Sequence, residues 1–194
     1  MEGNIIVTGF GPFGVHQVNA SWQSVKLLPS EIDGYNVIKE EVPVSYEFVD
    51  SKVYSLWEKY NPELVIHVGV SSYANKITLE RCAHKEGYVR CDHFGNKPSK
   101  GTECIAKSLE SCIQVGINVE NICDYLNTNL PVKACVSENA GRYLCEYILY
   151  TSLSIDKSKT MFIHVPELGK PYSDKELANG ILEIIRCALK QKKA

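Results

Sequence analysis

No stretch of this chain of 194 residues stays apolar over the ~20 positions that a membrane-crossing helix needs. The opening Met1-Glu-Gly-Asn4, followed by Ile5-Ile-Val7, has no basic segment and no long apolar one, so no secretory signal is expected. Neither sign of charge dominates. Lys and Arg number 21 against 23 Asp and Glu, and a formal charge of −2 gives no reason to expect nucleic acid or an anionic membrane as partner. There is no internal repeat, low-complexity tract or linker, so one domain over 1–194 is expected. There is also no C-x-x-C among the eight cysteines (82, 91, 104, 112, 123, 135, 145 and 187). Without secretion they read as free thiols in a reducing cytoplasm, and the match of Asn19-Ala-Ser21 to a glycosylation acceptor reads as incidental. Cys135 and Cys187 stand in apolar-periodic segments and are expected to be small core hydrophobes.

What the chain does have is 44% hydrophobic and 23% charged residues, the balance of a soluble globular protein, arranged in regular alternation. Strand-like runs fall at Asn4–Thr8, Val37–Val44, Leu64–Val68, Lys133–Val136 and Met161–Val165. Helical patterns fall at Ala20–Leu28, Tyr46–Tyr60, Ile117–Leu130, Gly141–Thr151 and Asp174–Lys190. Asn61-Pro62 stops the second helix, and Pro43 marks the end of a strand. The polar, Gly-containing segment Glu86–Thr102 reads as a long loop. Repeated β-α alternation predicts an α/β protein, a three-layer α/β/α sandwich around a largely parallel twisted sheet.

In such sheets, sites form at the C-terminal strand ends. Those ends carry Gly9–Gly14, Gly69–Ser72, Ser137–Gly141 and His164–Pro166, which predicts that Cys145, His164 and a Gly-rich loop meet on one edge. A thiol in the first turns of a helix feels the positive end of the macrodipole, which favours thiolate, and a histidine on a neighbouring strand can take its proton. Taken singly, a cysteine and a histidine are more often core residues; the convergence is what favours chemistry.

Two motifs are decoys. Gly9-Phe-Gly-Pro-Phe-Gly14 satisfies G-x-G-x-x-G, but Pro12 removes an N–H from the place that would cradle a pyrophosphate, and Phe10 and Phe13 crowd it. The loop suits a wall for a small, flat, uncharged ligand better than a nucleotide, unless both rings pack into the core. Cys82-Ala-His84 and Cys91-Asp-His93 offer metal donors, yet their spacing is not that of a structural zinc site, and no metal is expected.

The chain resembles pyroglutamyl-peptidase I, a family of cysteine peptidases that remove N-terminal pyroglutamate. The resemblance covers nearly the whole chain through four ordered motifs: Val7–Gly14 with Val18-Asn-Ala-Ser-Trp22, Val68-Gly69 with Ile77–Ala83, Ser137–Cys145, and Phe162-Ile-His-Val-Pro166. Leu149-Tyr-Thr-Ser-Leu153 and Leu168-Gly-Lys-Pro-Tyr172 place it nearest the vertebrate-type members.

That resemblance implies a Glu80–Cys145–His164 triad, a thioacyl intermediate, no metal or organic cofactor, and small pyroglutamyl peptides as partners. It implies an oxyanion held by the Cys145 N–H and Arg90, and a lactam ring held between Phe10 and Phe13, with hydrogen bonds from Asn19 and the backbone near Val70. A member that binds such peptides without turnover stays open as an alternative, with a nucleotide-binding enzyme behind it; a monomer and a homo-oligomer are equally compatible. Three positions depart from common family patterns: Val70 and Lys85 replace Gln and Asn of many bacterial members, and Glu146 replaces a shorter residue after the nucleophile. A carboxylate close to the Cys145 sulfur would oppose its ionisation.

Overall fold

The computed structural model describes residues 2–12 and 18–193. Its centre is a seven-stranded sheet in the order β2-β3-β1-β4-β9-β5-β8. The strands are β1 (Asn4–Phe10), β2 (Glu31–Ile32), β3 (Tyr35–Val42), β4 (Leu64–Val70), β5 (Ile77–Glu80), β8 (Ala134–Ser137) and β9 (Thr160–Val165). A separate antiparallel hairpin pairs β6 (Cys82–His84) with β7 (Cys112–Gln114). The helices are α1 (Ala20–Lys26), α2 (Tyr46–Tyr60), α3 (Val119–Asn129), α4 (Leu144–Asp156) and α5 (Asp174–Lys193).

Strands β3, β1, β4 and β9 run parallel, whereas β5 runs antiparallel to β9 and parallel to β8. The expected three-layer α/β fold is therefore present, with antiparallel pairings at β2–β3 and β5–β9. Helices α1, α3 and α5 cover one face, where Val7, Ile66, Ile163, Leu126, Ile181 and Ile184 share a core. Helices α2 and α4, with the hairpin, cover the other face around Val49, Ile113, Tyr147, Ile148 and Phe162.

Local chemistry sets the boundaries. Asn19, Ser45 and Asn118 cap α1, α2 and α3 by accepting from Ser21 N, Phe48 N and Asn121 N. Asn61 ends α2 in the left-handed region at φ 39°, just before Pro62. The apolar stripe of α5 expected at Leu177, Ile181, Ile184, Ile185, Ala188 and Leu189 is buried throughout. Where α5 crosses β5, Gly180 allows close packing, since a Cβ there would lie 2.6 Å from Ile77 Cδ1 and that side chain would have to shift.

Several elements differ from the expectation. The helix expected over Gly141–Thr151 begins only at Leu144, since Gly141 and Arg142 adopt φ of 99° and 50° and form a turn instead. Ile77–Glu80 and the hairpin were not predicted as strands, because both are too short for a two-residue period to stand out. Cys135 and Cys187 are half-buried, with Cys187 packed against the core from the side of α5, so neither is a fully buried core residue, and all eight cysteines are free. The loop over 86–102 is irregular as expected but anchored. Asp92 accepts from Tyr46 N at 3.1 Å at the start of α2, and from Phe94 N and Asn96 N within its own turn. No helix among the described residues is long and apolar enough to cross a membrane.

One residue inside the apolar run of β4 is polar. His67 is buried, with Nδ1 2.8 Å from Thr8 Oγ1 and Nε2 2.7 Å from Ser152 Oγ, so it ties β1 to α4 through the sheet. Burial pushes its pKa down to about 3. The unfolded chain takes this proton below pH ~6.5, whereas the folded chain takes it only near the depressed value. Stability is therefore lost as pH falls through that window, by up to ~1.4 kcal/mol per pH unit. Urea unfolding of His67→Gln between pH 6.5 and 4 should show a shallower loss than the parent; equal slopes would refute this role.

Candidate active site

Cys145 is the second residue of α4. Tyr143, at the N-cap, makes no side-chain cap hydrogen bond, so no side chain masks the first N–H groups of this helix in the way Asn19, Ser45 and Asn118 do elsewhere. The turn leading to it is fixed by Glu146, whose side chain is fully buried. Glu146 Oε2 accepts from Arg142 N at 2.8 Å. Its Oε1 accepts from Arg142 Nη1 at 2.6 Å and from His84 N at 3.0 Å, and lies 2.8 Å from His84 Nδ1. Burial alone would raise the pKa of this carboxyl, but the Arg142 and His84 donors outweigh it and hold the group below its ordinary value. The charge after Cys145 is thus engaged by Arg142 and the hairpin and clamps the turn that carries this cysteine.

Beneath the thiol lies β4. A Cβ on Gly69 would stand 2.7 Å from Cys145 Sγ and 2.8 Å from the Phe162 ring, so only glycine leaves the sulfur room over the sheet. Gly69 is in register with His164 on β9, which brings the imidazole beside the sulfur. The reversal in the sheet supplies the third member. Antiparallel β5 places Thr78 opposite His164 and Glu80 opposite Phe162, so Glu80 and His164 lie diagonally on one face. Their side chains meet with His164 Nδ1 2.7 Å from Glu80 Oε1, both groups being nearly inaccessible. Burial by itself would lower the His164 pKa. The Cys145 sulfur and the Glu80 carboxylate act the other way and prevail, holding it up at about 10. Glu80 Oε2 is buried and has no partner.

These groups open into a cavity of about 580 Å³. Its wall includes Phe10 from the first loop, Asn19, Val70 at the end of β4, and Arg90, together with Glu80, Cys145 and His164. Asn19 Oδ1 accepts from Ser21 N and Ser21 Oγ, and its Nδ2 donates to the Gly11 carbonyl at 3.0 Å, which ties the first loop to α1. The Arg90 guanidinium stacks on the Tyr143 ring, 4.1 Å from its centroid. Phe13 lies outside the described residues. Lys85 Nζ donates to Ser108 O at 3.0 Å and serves the adjoining loop.

The expected convergence is present, since Phe10, Val70, Ser71, Ser137, Gly141 and His164 line one cavity with Cys145. One detail differs, because β8 runs opposite to β9 and Ser137 therefore approaches the site from the reverse direction. Residues 138–143 bring the chain to α4, and the site is assembled over the sheet face. Gly69 stood among the expected strand ends, but without the steric role seen here, and Thr78 and Tyr143 stood inside quoted motifs without a role of their own.

The family profile described as pyroglutamyl peptidase matches residues 3–184. Pyroglutamyl-peptidase 1 of Rattus norvegicus is 41% identical over 184 residues, 93% of this chain and 87% of that protein. Pyrrolidone-carboxylate peptidase of Thermococcus kodakarensis is 35% identical over 191 residues, 95% of this chain and 91% of that one. Among solved structures, pyrrolidone carboxyl peptidase from Thermococcus litoralis superposes with a TM-score of 0.89 at 25% identity, covering 98% of this chain and 95% of its own. With its central sheet, its cavity and its cysteine–histidine–glutamate cluster, the chain belongs to the pyroglutamyl peptidase family.

Proposed function

We propose that Cys145, His164 and Glu80 form the catalytic triad with which this pyroglutamyl peptidase hydrolyses the bond after an N-terminal pyroglutamyl residue. The observation that carries this reading is the Glu80–His164 contact of 2.7 Å, buried beside Cys145 at the floor of the cavity. Cys145 Sγ attacks the pyroglutamyl carbonyl, forming the C–S bond. His164 protonates the departing amine as the C–N bond breaks. Glu80 holds the imidazole through Nδ1 and stabilises its cation. Water activated by His164 then cleaves the thioester, releasing pyroglutamate and the thiol. The Cys145 N–H at the uncapped start of α4 is suited to receive the oxyanion, and Arg90, held against Tyr143 at the cavity wall, is the second donor.

The same reading gives the lactam to the first loop. Phe10 and Phe13 flank the ring, the remaining Asn19 amide hydrogen and the backbone near Val70 bond its polar atoms, and proline is refused because it lacks the lactam amide. It also places the enzyme in a reducing compartment, the cytoplasm, in keeping with eight free cysteines, one of them the nucleophile.

The test is hydrolysis of a fluorogenic pyroglutamyl amide under reducing conditions. Cleavage should exceed that of the prolyl analogue by ~10²–10⁴-fold and vanish in Cys145→Ala. A folded, reduced protein that cleaves nothing would be a pyroglutamyl-peptide binder instead.

The histidine also predicts a pH profile. A pKa held at about 10 keeps His164 protonated below that value, so the alkaline limb of activity should lie where pH rises through it. Glu80→Gln removes one of the interactions holding the proton. It should lower kcat by roughly 10²–10⁴-fold and move the alkaline limb to lower pH. An unmoved limb would remove Glu80 from the triad. Gly69→Ala tests the seat of the nucleophile. Displacing the sulfur should lower kcat/KM by ~10²-fold with the fold retained, as judged by circular dichroism, and parental kinetics would refute the steric argument.

A further inference from the structure

The hairpin beside α4 gathers donors that the peptidase chemistry does not use. Cys82 and His84 point from one face of β6, and Cys112, opposite His84 in register, comes from β7. One donor atom from each lies within 4.8 Å of the other two, the only such cluster of three His, Cys, Asp or Glu side chains among the described residues. Cys91 and His93, which accompany Cys82 and His84 in sequence, are not part of it. We propose that Cys82, His84 and Cys112 bind one zinc ion, and that Glu146 supports it from behind the histidine.

Three observations carry this. Tetrahedral zinc, at ~2.3 Å from sulfur and ~2.0–2.1 Å from nitrogen, sets its ligand atoms roughly 3.5–3.8 Å apart, so the donors need close by only about 1 Å. Cys82 is buried, but His84 and Cys112 are half-buried, which gives the ion a path in and leaves the fourth position to water. Most distinctive is the partner of the imidazole. Glu146 Oε1 lies 2.8 Å from His84 Nδ1, which fixes the ring, and in this proposal the ion takes Nε2, the nitrogen that Glu146 does not engage. A carboxylate behind a ligating histidine is the usual way a protein orients that ligand.

The charges also close. Two cysteines that give up their thiol protons to solvent balance the dication, and Arg142 already answers Glu146. Soft sulfur donors favour zinc over magnesium or calcium. Because the same Glu146 holds the Arg142 N–H, zinc on the hairpin is joined through one carboxylate to the turn ahead of Cys145. Occupancy should therefore stiffen that turn.

The experiment uses the full chain as Cys145→Ala, so that the catalytic thiol and imidazole cannot supply a competing site. Cobalt(II) is added as a spectroscopic substitute, and zinc is titrated against a chromophoric chelator in non-thiol reductant. The expected result is one equivalent bound, with near-ultraviolet thiolate-to-cobalt absorption and the intense visible bands of a tetrahedral ion. Adding Cys112→Ser should cut the thiolate bands by half or more and weaken zinc by more than the ~10–100-fold that loss of an outer-shell partner costs. His84→Gln, which keeps a donor for Glu146, is the second variant and should behave likewise. Metal-free melting and circular dichroism serve as folding controls for both. Zinc should raise the melting temperature of Cys145→Ala and leave that of the Cys112→Ser double variant unchanged. Absence of thiolate bands, or equal affinity in the variants, would overturn the site.

Discussion

Everything at the site depends on one buried contact, that of His164 with Glu80. An imidazole on a closed strand surrounded by Phe162 and the sheet would lose its proton to desolvation if left alone. A carboxylate with so little access to solvent would be costly without a cation. Each makes the other tolerable, and the sulfur of Cys145 gains a neighbour that can hold positive charge.

The two glutamates make the contrast plain. Glu146 has both oxygens occupied by Arg142 and His84 and serves as a brace. Glu80 has one oxygen on the histidine and the other idle. The first sets the backbone that presents Cys145, and the second holds the His164 imidazole. The reversed strand β5 allows the division, because only an antiparallel neighbour of β9 puts residues 78 and 80 beside 162 and 164 in this diagonal.

The sequence carried the alternating elements and the two reactive residues because both rest on local signals. Leu64–Val68 and Asp174–Lys190 show their periods openly, and Cys145 follows a glycine turn at the start of a helical pattern. Glu80 was reached only through family resemblance, since four residues of β5 are too few to announce a strand, and nothing local tells a carboxylate that it will face a histidine 84 positions away. The late start of α4 was hidden for a related reason. Arg142 takes a left-handed conformation that its own side chain disfavours, and it is held there by Glu146. Spacing along the chain paired Cys82 and His84 with Cys91 and His93, but the strand register pairs them with Cys112, thirty positions from Cys82.

The sheet order has a consequence for how the enzyme comes into being. β4 and β5 are consecutive in the main sheet by sequence, yet β9 lies between them. Sequential strands tend to pair, so the chain must keep β4 and β5 apart until a segment made some eighty residues later slides between them. That segment carries His164. Cys145 and Glu80 are both synthesised before it, so the Glu80–His164 ion pair can form only once β9 has taken its place between β4 and β5.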